Sequence, residues 1–525
     1  MNALAELMGL AFACGASDFG GPLSPTEEAL LAKAAPVSAR AASRTRRAIR
    51  EGYDPLGDAF LKLRTPFERR ALGAFYTGPP IARSMLSWAL GRDPARLVDP
   101  GCGSGRFSVA ALLQRPHLEI VAVDLDPVAT LLTRAALAAV KARQARVIQG
   151  DYLTVDLPRI AGRTAFVGNP PYVRHHDLSL KTKAYAAQLA QNAGYHLSAL
   201  AGLHALFYLA TLAKHSSAGD VGSFVTSSEW LDVGYGSIIR QMFVNGLGGR
   251  SLLVFDAESI PFSDVMTTAA ITTFRIGDEL LRIRVGRAVS ARRRVKLEAH
   301  GRAIERAALG AYRRWSPLLR ETFSEISGDT IGTMFRVSRG QVTGANAFFT
   351  LTREEAQRIG VSRFCIPLVS SANEVFEAKG LLRDGPQRTL GLEIPRELDI
   401  ARYPALAHYV RVGEASGVHR GYIASRRRPW YSLTFPRPPI VATYMARQAP
   451  VFARNPDSLG LLNVAHGLYP RAPLPENVLD AIVSRLNATR AAFVGRGRTY
   501  HGGLEKFEPG EMEALPLAGC NEPAS

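Results

Sequence analysis

The sequence predicts an α/β domain, its parallel sheet covered by helices on both faces, followed by a mixed α+β domain. Three observations predict it. Between about Arg96 and Ile276 short apolar runs alternate with helix-length segments, the pattern of parallel strands joined by crossover helices. The first of these runs ends in an acid and passes at once into a glycine-rich turn, LVDPGCGSGRF. After about Arg284 the alternation fades, and from about Ile331 short apolar runs are broken by Gly, Pro, Asn and Arg. At 525 residues the chain is too long for one ordinary core.

Taken in order, Ser24-Pro25-Thr26-Glu27 reads as a helix start, with serine as N-cap, proline at the first helical position and acid in the first turn. A basic helical segment follows to about Arg50, and residues 1–65 form an N-terminal helical segment. RLVDP is the first strand, and an apolar helix runs to about Leu113. EIVAVDLD is a strand, a long Ala/Leu helix reaches Lys141, and ARVIQGD, TAFVGN, GDVGSFVTS, SLLVFDAES and ITTFRI are further strands. The helix SALAGLHALFYLATLAKH lies between TAFVGN and GDVGSFVTS. This places the α/β domain at 66–284, a basic connector at 285–330 and the second domain at 331–525.

The formal net charge is +18, with basic clusters at Arg292-Arg293-Arg294 and Arg426-Arg427-Arg428. That balance favours a polyanionic partner, nucleic acid first. Four scattered cysteines (Cys14, Cys102, Cys365, Cys520) without C-x-x-C pairing argue against a disulfide framework and a structural zinc site, and fit a reducing cytoplasm. The opening MNALAELMGLAFACGAS lacks a basic flank, carries Glu6, and falls short of the ~18 apolar residues of a membrane span. No membrane association and no metal are expected.

In LVDPGCGSGRF, Asp99 closes a strand and Gly101, Gly103 and Gly105 form the turn before a helix. Glycines there let backbone approach a ligand, while a helix N-terminus offers free N–H groups. Asp124 ends the next strand 19 residues after Gly105, where an acid can hydrogen-bond ribose hydroxyls. Asp99 would repel the pyrophosphate of a dinucleotide but attract an ammonium group, which favours S-adenosyl-L-methionine. Asp151 closes the third strand in QGDYLT, placed to accept a hydrogen bond from the adenine amine of that cofactor, with Tyr152 packing nearby; ligands in open α/β sheets sit at the carboxyl ends of strands.

FVGNPPY brings Asn169, Pro170, Pro171 and Tyr172 to the same edge at the end of the fourth strand. Prolines fix φ and offer carbonyls with no competing N–H. Asparagine adds a side-chain carbonyl and tyrosine an aromatic face. The set suits a planar substrate bearing an NH₂ group: two oxygens accept its hydrogens, its ring stacks, and its lone pair is freed for attack.

On these motifs the chain resembles the N6-adenine-specific DNA methyltransferases of restriction-modification systems, in the gamma arrangement. GAFYTGPPIARSML (73–86) is similar to the family's leading cofactor segment, with Tyr76 and Thr77 in place and Gly78 as a departure. SFVTSSEWLDVGYGSIIRQMF and VFDAESIPFSDVMTTAAI continue the likeness, as do VSRGQVTGANAFF, RRRPWYSL, LNVAHGLYP and GGLEKFEPGEMEALPL in the second domain. The resemblance implies a class I S-adenosylmethionine-dependent methyltransferase (Rossmann-like) domain followed by a target recognition domain that binds double-stranded DNA. It implies extrusion of the target adenine into a pocket, with stacking by Tyr172 and Phe262, and a DNA cleft to which Arg426, Arg427, Arg428 and Trp430 belong. It also implies a bacterial cytoplasmic, nucleoid-associated enzyme acting beside a separately encoded restriction endonuclease.

NPPY also occurs in methyltransferases acting on protein glutamine, and related N-P-P motifs in those acting on RNA bases. The basic second domain and the YTGPP segment favour DNA. A catalytically idle DNA-binding defence subunit is the remaining alternative, against which the intact NPPY argues.

Overall fold

The computed structural model describes residues 3–63, 77–255, 268–288, 294–312, 314–319, 329–446, 449–494, 496–499 and 504–517. Tyr76 and Phe262, with most of the leading segment's first half, lie outside them. The chain divides into two units at 323/324.

The first unit opens with four helices, α1 (Ala3–Ala13), α2 (Pro25–Leu31), α3 (Ala39–Arg50) and α4 (Pro55–Leu63). Ser24 and Glu27 form a reciprocal capping box on α2, which satisfies two of the N–H groups a helix start leaves unbonded. Next come α5 (Pro79–Leu90), β1 (Arg96–Pro100), α6 (Arg106–Gln114), β2 (Glu119–Asp124), α7 (Pro127–Ala139), β3 (Ala145–Gln149) and β4 (Thr164–Gly168). They are followed by α8 (Leu180–Asn192), α9 (Leu203–Ala210), β5 (Val221–Ser227), α10 (Ser237–Val244), β6 (Gly249–Phe255) and β7 (Ala269–Arg275).

These strands order as β3-β2-β1-β4-β5-β7-β6. β1 to β5 are parallel, and β7 is antiparallel to both neighbours. One core fills the face beneath α9 and α10, around Phe166, Tyr208, Phe224 and Trp230. A second lies beneath α5 and α6, around Leu86, Phe107, Ile120 and Val167. Buried on both faces, β1, β4 and β5 have no polar alternation, as parallel strands require.

Two differences from the sequence reading follow from edges. Residues 285–330, read as a connector, carry the end of β8 (Arg282–Ala288) and all of β9 (Arg302–Glu305), which extend this sheet past β6. On β8, Ile283 and Val285 point inward while Arg282, Arg284 and Arg287 face out, so an edge strand reads as a basic loop. The N-terminal segment is likewise part of the first unit. The carbonyl of Gly20 accepts the Val147 N–H of edge strand β3, and α1, α2 and α3 pack on α7. Fully buried Arg134 joins buried Glu27 (2.8 Å) and four backbone carbonyls, those of Phe19, Gly21, Pro22 and Val147.

The second unit is mixed. One four-stranded sheet has the order β10 (Phe335–Arg339), β18 (His466–Pro470), β14 (Ile440–Ala442), β16 (Phe452–Arg454). A second has the order β11 (Thr350–Leu351), β13 (Leu390–Leu392), β12 (Cys365–Val369), β17 (Gly460–Leu461). Helix Glu476–Thr489 packs its apolar stripe of Leu479, Ile482, Val483 and Leu486 into the core of the first sheet.

Candidate active site

The glycine-rich turn can be traced residue by residue. Gly101, Gly103 and Gly105 all have positive φ (71°, 57° and 81°), which glycine alone adopts without strain. A Cβ on Gly105 would stand 3.1 Å from the Thr133 side chain, whereas one on Gly103 would meet nothing within 4 Å. Gly105 is thus packed against α7, and Gly103 forms open floor. The turn is tied to its neighbours: Gly103 N–H donates to Asp124 Oδ2 (2.9 Å), Asp126 N–H to Asp124 Oδ1 (3.0 Å), and Gly150 N–H to the Asp124 carbonyl (2.8 Å).

Above it lies a cavity of about 660 Å³ whose wall includes Thr77, Gly101, Gly103, Asp124, Asp151, Tyr152, Asn169 and Pro171. Asp99 and Gly105 sit behind that wall, and Pro170 is buried. One oxygen of Asp99 is anchored, accepting from Ser108 Oγ (2.7 Å) and Ser108 N–H (3.1 Å). Its Oδ1 is buried with no hydrogen-bond partner among the described residues. Burial pushes its carboxyl up to about 7; the Ser108 bonds pull it down, and the charge of Asp124 adds to the rise. Asp151 Oδ1 accepts from Leu153 N–H (3.0 Å). Tyr152 is buried, its hydroxyl 2.9 Å from Thr211 Oγ1 and its ring 5.0 Å from Phe207.

Sequence reasoning missed the contribution of the N-terminal helices. Phe60 and Leu61 of α4 stand on the cavity wall. Asp54, just before α4, accepts from Ser104 Oγ (2.6 Å) and Arg106 Nε (3.3 Å), while Arg106 Nη1 donates to the Thr77 carbonyl (2.9 Å). Leu125, next to Asp124, also lines the cavity although 68 % exposed. The apolar Leu125 directly after the acid that closes β2 was the one signal available in the sequence.

Asn169 emerges where β4 ends, beneath a close approach of Gly168 to Pro100 (3.1 Å from a Cβ placed there). A Cβ on Gly101 would lie 3.5 Å from Pro171 Cδ, so the first and fourth strand ends are packed together. Tyr172 is half-buried, its hydroxyl donating weakly to the Val225 carbonyl (3.4 Å) and its ring edge-on to His204 (6.4 Å). Burial drives the His204 imidazole down to about 4, so it is neutral.

In the second unit Arg428 is exposed and donates to the Ser425 (2.6 Å) and Arg427 (2.9 Å) carbonyls. Trp430 packs inward, 5.2 Å from Phe348, with its indole N–H on Glu414 (3.0 Å). Among the described residues no helix is long and apolar enough to cross a membrane, and no His/Cys/Asp/Glu group could hold a metal ion.

A sheet in which parallel strands β1 to β5 are followed by β7 inserted antiparallel between β5 and β6, with acids at three successive strand ends and a glycine floor between them, defines an S-adenosylmethionine-dependent methyltransferase. The residues fit that cofactor: Asp99 Oδ1 and Thr77 Oγ1 are buried polar atoms with no partner among the described residues, and the open floor at Gly103 leaves space for it. S-Adenosylmethionine is the methyl donor.

Comparison with known proteins gives the family. Residues 82–203 match the methyltransferase small domain, and residues 316–525 the C-terminal domain of type II methyltransferase M.Eco57I. The chain is 42% identical over 474 residues to type II methyltransferase M.XamI of Xanthomonas campestris pv. amaranthicola, covering 89% of this chain and 87% of that one. It is 23% identical to type II methyltransferase M.AccI of Acinetobacter calcoaceticus over 471 residues, 85% of each chain. In fold it is similar to the type IIL restriction-modification enzyme MmeI, solved in complex with DNA (TM-score 0.55, 14% identity, 87% of this chain and 69% of that one). The chain belongs to the type II DNA methyltransferases of restriction-modification systems.

Proposed function

We propose that this enzyme methylates the exocyclic N6 amine of an adenine flipped out of double-stranded DNA at a specific sequence, as an adenine-specific site-specific DNA methyltransferase. The observation that carries the reading is that Asn169 and Pro171 share one cavity wall with Asp124 and Asp151. Substrate amine and cofactor therefore meet at one place.

Bound cofactor supplies a methyl group made electrophilic by its sulfonium. Asp124, held in place by two backbone N–H groups, accepts from the ribose hydroxyls. Asp151 accepts from the cofactor's adenine amine. Asn169, through its side-chain carbonyl, and Pro170, through its backbone carbonyl, accept the two hydrogens of the target amine. This draws its lone pair out of conjugation with the ring and toward the methyl carbon. As the new N–C bond forms and the S–C bond breaks, the amine becomes cationic; its surplus proton leaves along the Asn169 hydrogen bond to solvent, because a neutral amide does not retain it. Tyr172 and Phe262 stack on the extruded base, offsetting the few kcal/mol that unstacking costs. A separately encoded endonuclease would cut the unmodified site.

The test is methyl transfer from labelled cofactor to plasmid DNA, with digestion to nucleosides. Label recovered as N6-methyladenosine of the deoxy series supports the reading. Recovery as N4-methylcytosine would overturn the adenine assignment, since cytosine also presents a planar amine; recovery only in RNA or protein would overturn the polymer.

A further inference from the structure

We propose that Tyr422 and Arg426, flanked by Arg420 and Arg428, form the face of the second unit that reads the DNA site. The proposal rests on the enzyme being a DNA methyltransferase, and adds which side chains meet the duplex.

Segment 417–435 (GVHRGYIASRRRPWYSLTF) holds four arginines and no acid. The fold sorts them by direction. Arg427 turns inward: its guanidinium lies 5.0 Å over the Phe349 ring and donates to the Thr343 carbonyl. Trp430 is turned in beside it on Phe348. Ile423 closes on Gly344, where φ is +76° and a Cβ would come within 2.5 Å of the isoleucine side chain. These contacts clamp loop 340–346 and segment 417–428 together as one platform.

Its outer surface is Tyr422, 69 % exposed, with the Arg426 guanidinium 4.0 Å over the ring, and exposed Arg420 and Arg428. Several other arginines of this unit are neutralised by the protein, among them Arg339 by Glu508, Arg353 by Asp384, Arg383 by Asp457, Arg388 by Glu374 and Arg437 by Glu393. Among the described residues no carboxylate pairs with Arg420, Arg426 or Arg428. An exposed aromatic inside uncompensated positive charge is complementary to a polyanion that also offers flat faces and groove edges, which is DNA. A guanidinium stacked on a ring is held flat, with its edge N–H groups free for guanine O6 and N7. Arg420 and Arg428 are placed to take phosphates.

The experiment uses the full chain with Tyr422→Ala, Tyr422→Phe, Arg426→Ala, Arg428→Ala and, as control, the exposed Arg358→Ala. Cofactor affinity, DNA affinity across a salt series, and the spectrum of methylated sites are measured for each. Expected are about 10-fold weaker DNA binding for Tyr422→Ala and near wild-type binding for Tyr422→Phe. Arg426→Ala should lose about 10-fold discrimination at one base pair, and Arg428→Ala should lower the slope of log affinity on log salt by about 0.9. Cofactor affinity and the control should match wild type. Wild-type DNA affinity and site spectrum in both Tyr422→Ala and Arg426→Ala, with methyl transfer to DNA by the wild type intact, would overturn this proposal alone. Absence of transfer to DNA by the wild type would instead overturn the function proposed above.

Discussion

The cofactor cavity of the first unit and the 417–428 platform of the second handle charge in opposite ways. In the first unit several charged groups are already engaged: Asp124 on the cavity wall by backbone N–H groups, Asp54 by Ser104 and Arg106 and, away from the cavity, Arg134 by Glu27. On the platform Arg420, Arg426 and Arg428 have no carboxylate among the described residues. A small ligand with few contacts needs a rigid site whose ordering cost is met on folding. A polyanion gains affinity from each phosphate neutralised by a cation that the protein has not neutralised itself.

The largest way to break this contrast is at Asn169. Asn169→Ala is expected to lower methyl transfer by about 10²–10⁴-fold, the range for removing a group that handles a proton in the transition state, while cofactor affinity stays within about threefold. Labelled transfer at the wild-type rate would show that another group holds the amine. Next is Glu27→Ala, which strips the carboxylate from a fully buried arginine. Breaking such a pair costs about 3–5 kcal/mol, so thermal unfolding should shift down by several degrees. An unchanged midpoint would mean that the four carbonyls around Arg134 suffice. Asp124→Ala removes the clamp on Gly103 together with the acceptor proposed for the cofactor's ribose. Cofactor dissociation should rise about 10–100-fold by calorimetry, from about 1.5–3 kcal/mol for hydrogen bonds to a charged group. DNA binding without cofactor should hold within twofold; a parallel loss of DNA affinity would erase the contrast between the two regions.

The strands and the glycine turn were legible because their signals are local: an apolar run closed by an acid, then glycines at left-handed φ. The cavity row Asp124, Asp151 and Asn169 followed from one rule about strand ends. What was hidden depends on which side of a segment meets the rest of the chain. Arg426, Arg427 and Arg428 are one charge run in sequence, yet Arg427 faces Phe349 and Arg426 faces out over Tyr422. Trp430, read as a DNA contact, is packed on Phe348. β8 was hidden by arginines on its outer side. α4 gave no sign of the cavity, because Phe60 and Leu61 look like any apolar helix face until Asp54 is seen bonded to the glycine turn.

The smallest expected effect concerns Asp99 and tests how far the preformed cavity depends on charge. Burial holds its carboxyl up at about 7 in the free protein, against an ordinary value near 4. The raised value means that folding favours the protonated form. Its contribution to stability is therefore present below about pH 4 and is lost as pH rises through about 7. A cationic ligand reverses the preference, since only the ionised carboxylate attracts it. Cofactor affinity should then rise about 10-fold between pH 6 and pH 8 as the proton is released on binding. The ligand's own ammonium titrates near the upper end of this range, so the informative quantity is the difference between wild type and Asp99→Asn, in which that titration is shared. Calorimetry in buffers of different ionisation enthalpy counts the released proton directly. Identical pH profiles for the two proteins would mean that Asp99 serves only to anchor Ser108 and the start of α6.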